Sequence, residues 1–250
     1  MVGIIAGVVL YALLPWPAGP GGAVLLFGAA YAAERFILET WKTFFRTEDQ
    51  SKYTIPMQLA VLGRPVESAA VRAAIGALYF AAGFGALCLV TWIGAPADTS
   101  LLVIVLAGSA GGWISAFGGA WKDAPIEGFE TFKFFRSPSV ALVYSFLLSH
   151  ITTDAGVLML GATGLTVATL ETWKKFRRPH ETVGKFNGKP ILYPDMLQQR
   201  YRFVPLYVTI CTLVALSLLS AVYSARTSPC PESGCAPEAL KATPVSGWLQ

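Results

Sequence analysis

Residues 203–223 read FVPLYVTICTLVALSLLSAVY and residues 73–93 read AAIGALYFAAGFGALCLVTWI, and neither stretch contains a charged side chain. A helix rises about 1.5 Å per residue, so each can cross the roughly 30 Å of hydrocarbon in a bilayer. A helix in a water-soluble domain keeps one polar face, and these have none. Lipid is therefore the solvent, and an all-α structure is the way such a chain satisfies its backbone. Five further apolar stretches accompany them: Val2–Trp16, Gly22–Leu38, Leu101–Ala120, Ser137–Thr153 and Ala155–Leu170. Several are shorter than a full crossing and rely on thinning or on snorkelling flanks. The expected fold is a polytopic membrane helix bundle over residues 1–223, with about seven transmembrane helices. A polar tail over residues 224–250, rich in Pro, Ser and Ala, is expected to be disordered.

Composition agrees. The chain is 54% hydrophobic and 14% charged, against about 25% charged in ordinary soluble proteins. Its net charge of +4 hides a strong segregation. The loops after the second, fourth and sixth stretches, with their flanks, hold 17 of the 19 Lys and Arg residues; only Arg226 and Lys241 lie elsewhere. The positive-inside rule makes these loops cytoplasmic, which puts the N-terminus inside and the tail outside a cell (inner) membrane. No positive region precedes Val2, and residues 17–22 are a poor cleavage site, so the first stretch reads as a retained helix rather than a signal peptide. Cys88 and Cys211 fall within spans and read as packing residues. Cys230 and Cys235 fall in the tail, on the side where a disulfide can form.

The three basic loops resemble one another. Glu39-Thr40-Trp41-Lys42 and Glu171-Thr172-Trp173-Lys174 end two spans identically, and Ala120-Trp121-Lys122 ends a third. A Lys-aromatic pair follows in each loop (Lys52-Tyr53, Lys133-Phe134, Lys185-Phe186), then Pro56, Pro138 or Pro190. This pattern predicts a pseudo-threefold repeat of helical hairpins, with Ser137 and Pro138 opening the fifth span as cap and first residue. Interfacial anchoring by Trp and snorkelling Lys explains the Trp-Lys ends without any ligand.

Chemistry is most concentrated in the second basic loop. Asp123, Glu127 and Glu130 lie close together beside Lys122, Lys133 and Arg136. Asp123 and Glu127 are candidate ligands for Mg²⁺, which needs few protein oxygens when phosphate supplies others. The neighbouring cations would stabilise charge developing on a transferred phosphoryl group. The third loop adds Lys174, Arg177 and Arg178 as phosphate-binding candidates, and His180 as a general base with a pKa in the useful range. The blander reading, which the residues of these loops favour on their own, is that they are solvated orientation signals binding anionic lipid without specificity. No charge sits clearly at a midplane, which argues against an ion-driven carrier.

The fourth span carries Gly108, Gly111 and Gly112, with Gly118 and Gly119 at its end; such small faces serve tight helix packing or a gate. Gly118-Gly119, Lys122-Asp123 and Phe135-Arg136-Ser137-Pro138 resemble the glycine segment of trimeric intracellular cation channels over residues 118–138. The segment occurs once here, where that family shows it in two repeats. The resemblance implies a conduit, a small channel or uniporter built around the fourth helix. The leading expectation is handling of a phosphorylated lipid or isoprenoid at the cytoplasmic leaflet, as a phosphoryl- or nucleotidyl-transferase. The conduit is its rival, and a non-catalytic membrane scaffold is a third possibility. Expected partners are membrane lipids, with a homo-oligomer or a membrane partner also open. Nucleic acid is not expected, because no dense basic tract with interleaved aromatics occurs.

Overall fold

A computed structural model describes residues 1–14, 16–54, 57–61, 64–93, 100–121, 124, 128–177, 186 and 188–227. Its α-helices are α1 (Val2–Leu13), α2 (Pro20–Thr40), α3 (Ala69–Ile93), α4 (Leu101–Ala116), α5 (Thr131–Leu148), α6 (Ala155–Arg177), α7 (Pro194–Tyr201) and α8 (Val204–Thr227). A short antiparallel hairpin pairs Ala60–Val61 with Arg64–Pro65. Among the described residues the protein is all-α apart from this hairpin, and five helices there are long and apolar enough to cross a membrane. These are Pro20–Phe45, Ala69–Trp92, Leu101–Trp121, Ala155–Trp173 and Val204–Thr227.

The count of qualifying helices is thus five, where the sequence predicts seven spans, and the two shortfalls have simple causes. α1 has 12 residues, too few for a full crossing. α5 is long enough at 18 residues, but its first turns contain Lys133, Arg136, Ser137, Pro138 and Ser139. Ser137 and Pro138 do not open a helix either. Both are buried inside α5, which starts at Thr131 with Glu130 at its N-cap. Proline cannot donate to the Phe134 carbonyl, so this turn of α5 lacks one backbone hydrogen bond.

Helix directions alternate. Gly3 meets Glu34 and Gly7 meets Ala30, so α1 runs antiparallel to α2. Gly76 against Phe44 and Gly83 against Phe36 set α3 antiparallel to α2. Gly108 against Ser145 and Gly112 against Pro138 do the same for α4 and α5. The hydroxyls of Tyr144 and Thr169, 2.7 Å apart, and the contact of Leu148 with Gly161 reverse the chain again into α6. Gly21 beside Ile151 and Gly28 beside Gly161 then make α2 and α6 parallel. The C-terminal ends of α2, α4 and α6 therefore lie together, and with them the starts of all three basic loops. These ends form the basic end of the bundle.

α6 is the central helix, packed on α2, α3, α4 and α5. In its most apolar window 56% of residues are buried, against 6% for α3 and α8, whose outward faces need lipid rather than water. Val24, Leu25, Leu148, Val157 and Leu158 form the buried centre. The α2–α6 crossing is backbone against backbone: a Cβ on Gly28 would lie 2.6 Å from the Gly161 carbonyl oxygen, and one on Gly164 would overlap the Gly28 carbonyl. Only glycine permits this approach. Hydroxyls tie the remaining helices, with Ser145 donating to the Ile104 carbonyl at 2.9 Å and Thr172 bonding Tyr207 at 2.6 Å. Asp154 caps α6 by accepting from the Val157 amide at 2.8 Å.

The three Trp-Lys ends differ in backbone. Trp41 opens a π-turn (Trp41–Phe45), Trp121 closes one (Phe117–Trp121), and Trp173 lies within regular α6. Lys133-Phe134 and Pro138 are inside an α-helix, whereas Lys52 ends a single 3-10 turn (Gln50–Lys52) and Tyr53 follows it.

Candidate functional site at the basic end

The first basic loop is folded on itself. Arg46 donates to the Tyr53 hydroxyl at 2.8 Å, and that hydroxyl donates to Glu48 at 2.9 Å. Glu48 also pairs with Arg46 at 2.5 Å and with Lys52, whose ammonium stands 5.1 Å over the Tyr53 ring. The Gln50 side-chain oxygen accepts from the amides of Met57 and Gln58 at 2.8 and 3.2 Å, which closes the loop. Arg72, only 4% exposed at the start of α3, fastens the far end by donating to the carbonyls of Val66 and Glu67 at 2.7 and 2.8 Å. No pattern in the sequence signals that this arginine is buried, since its donors satisfy backbone rather than a charge.

The first and third loops touch. Lys189 donates to the Ser51 carbonyl at 3.1 Å, and the Tyr53 and Phe186 rings lie 5.2 Å apart. Arg46, Lys52 and Lys189 thereby share one surface. α6 carries its helical backbone past Trp173 to Arg177, so Lys174 and Arg177 occupy its last turn at the same end. The positions of Arg178 and His180 lie outside the described residues.

At the second loop the structure brings three expected residues together: Glu130 at the N-cap of α5, with Lys133 and Arg136 in its first two turns. The Nε of Arg136 is buried and has no hydrogen-bond partner among the described residues. Aromatic rings surround this start. Phe134 is buried at the centre, with Phe117, Phe129 and Phe135 at 5.3, 5.5 and 5.1 Å. Trp121 and Phe129 are largely exposed, as suits a headgroup-level belt. Lys122, Asp123 and Glu127 lie outside the described residues, and among the described residues no three His, Cys, Asp or Glu side chains converge as metal ligands.

The glycines of α4 have two environments. A Cβ on Gly112 would lie 2.6 Å from the Pro138 Cα, and Cβ atoms on Gly108 and Gly111 would overlap Ser145 and Thr163. The space beside these three is filled by neighbouring helices. Gly118 and Gly119 have nothing within 4 Å of an added Cβ.

The first loop's carboxylates have the clearest electrostatics. The hydrogen bond from Lys52, and then that from Tyr53, hold the Glu48 carboxyl below its ordinary range, and bonds from Ser51 do so for Asp49. Carboxyls lowered on folding stabilise the loop above the ordinary carboxylate range, near pH 4, and that contribution is lost as pH falls through the lowered values. Lys52 is raised by the same bond to Glu48, so that bond is lost in strong base as well as in acid. Tryptic cleavage after Lys52 is therefore expected to be slow at pH 7. A fluorophore on an engineered Thr47→Cys, which leaves the Ser51 bonds to Asp49 in place, should report loosening of the loop as pH falls below the ordinary carboxylate range. An unchanged signal over that fall would remove Glu48 as the loop's organiser.

Comparison with family models, with curated proteins and with solved structures gave no match to this chain.

Proposed function

We propose that the protein crosses a cell inner membrane with its basic end in the cytoplasm and handles a phosphorylated lipid or isoprenoid at that leaflet, as a phosphoryl- or nucleotidyl-transferase. In this reading α1 and α5 are also seated in the membrane, giving seven helices with the N-terminus inside and the C-terminus outside. The observation that carries it is the convergence of three basic loops on the end ringed by exposed Trp121, Trp41 and Trp173. Cations at headgroup depth meet a lipid phosphate while the tails stay in hydrocarbon. The chemistry would run through Asp123 and Glu127 holding Mg²⁺, with Lys122, Lys133, Arg136, Lys174, Arg177 and Arg178 on phosphate. An attacking hydroxyl oxygen bonds to phosphorus and gives its proton to Glu130 or His180. The leaving oxygen departs from phosphorus with its electron pair. The filled glycine face of α4 favours this reading over a conduit along that helix.

Native mass spectrometry of purified protein tests the binding half. Undecaprenyl phosphate and phosphatidic acid should be retained about tenfold more strongly than diacylglycerol, the scale of a charge-assisted contact. A Lys133→Gln/Arg136→Gln variant should lose that preference. Equal retention of charged and uncharged lipids by the unaltered protein would refute the proposal.

A further inference from the structure

The structure contains a second lipid-facing feature that the basic loops do not use. Between α1 and α2 lies a cleft of about 300 Å³ lined by Met1, Gly3, Ile4, Phe27, Ala30, Tyr31 and Glu34. Its walls are apolar, and it ends in one carboxylate. α1 can close on that carboxylate because residue 3 is glycine: a Cβ there would lie 2.5 Å from Glu34 Oε2.

Among the described residues Glu34 makes no ion pair, although the Arg35 cation is its neighbour in sequence. The neighbouring Arg35 guanidinium donates to Glu39 at 3.1 Å through one Nη, its buried Nε having no hydrogen-bond partner among the described residues, and Lys42 pairs with the same Glu39 at 3.1 Å. Nor does Glu34 accept a hydrogen bond among the described residues. Glu34 lies six residues before the end of α2, roughly 9 Å into the helix. A carboxylate at such depth is costly unless a positive group reaches it. With α1 seated in the membrane, as proposed above, the cleft faces hydrocarbon, and an occupant that fits it brings both an apolar body and a cation.

We propose that the α1–α2 cleft binds one phospholipid bearing a primary amine, with its ammonium on the Glu34 carboxylate and its chains along Ile4 and Phe27. Tyr31 supplies a hydroxyl beside the headgroup. The site depends only on the helices lying in a membrane, and is independent of any transfer reaction at the basic loops.

Native mass spectrometry of the full chain, titrated with phosphatidylethanolamine, phosphatidylglycerol and N-acylated phosphatidylethanolamine, distinguishes the possibilities. All three carry the phosphate, and only the first carries the ammonium. The unaltered protein should retain phosphatidylethanolamine about tenfold over the other two, the size of one charge-assisted hydrogen bond. Glu34→Gln should abolish that preference and Glu34→Asp should keep most of it, with elution and helicity unchanged in both. Should Glu34→Gln fail to fold, the comparison of amine with N-acylated lipid on unaltered protein still decides. Equal retention of the three lipids, or an intact preference in Glu34→Gln, overturns the proposal. So does a disulfide joining two copies through Ile4→Cys in the membrane, because a second copy would then occupy the cleft.

Discussion

Replacing Gly164 by valine is expected to lower the melting midpoint in detergent by about 10 °C, or to prevent recovery of monodisperse protein. A Cβ at this position overlaps the carbonyl of Gly28, a backbone atom that no rotamer change can move. α2 and α6 must then separate, and Leu25, Leu158 and Leu165, which pack across and beside that crossing, lose contact. Overpacking of this kind costs about 3 kcal/mol. Gly118→Ala is the matched control, since nothing lies within 4 Å of its added Cβ. Fluorescence-detected size exclusion after a temperature ramp reads both variants. A Gly164→Val protein that melts like its parent would mean that the two helices do not meet backbone to backbone.

That crossing also shows what the sequence conceals. Gly108, Gly111 and Gly112 stand out because they cluster, whereas Gly28, Gly161 and Gly164 are spread over two helices and look unremarkable in either. A close approach is a property of a pair, and one stretch of sequence displays half of it. Long uncharged runs such as residues 73–93 and 203–223 are legible because lipid imposes one requirement on every residue of a span. α5 is less legible. Pro138 resembles a helix opener by local rules, but Gly112 seats against it in the packed interior, and the helix continues upstream to Thr131. The π-turns after α2 and before Lys122 carry no sequence signal. The candidate site divides in the same manner: Glu130, Lys133 and Arg136 are joined by helical spacing alone, so a linear reading can group them. Glu34 stands out as a charge within an apolar run, yet its cleft exists only because Gly3 of another helix faces it.

Asp123→Asn is expected to reduce turnover of a phosphorylated lipid by about 10³-fold or more, while capture of that lipid changes little. The asymmetry follows from the proposed roles. Lys133 and Arg136, with the cations of the third loop, would hold phosphate by charge in the ground state. Asp123 and Glu127 would instead hold the Mg²⁺ that neutralises charge developing at phosphorus. An isosteric amide removes the carboxylate's charge but leaves volume and backbone unchanged, so folding should be retained. Arg136→Gln should behave oppositely, weakening capture before it slows the bound complex, which single-turnover kinetics can separate. Titrating Mg²⁺ gives an independent readout: Asp123→Asn should raise the Mg²⁺ concentration needed for half-maximal rate, and Arg136→Gln should not. Full turnover by Asp123→Asn would remove that residue from the chemistry. If the reconstituted protein passes ions instead, and a bulky residue at Gly119 stops the flux, a conduit replaces the transferase as the account of this fold.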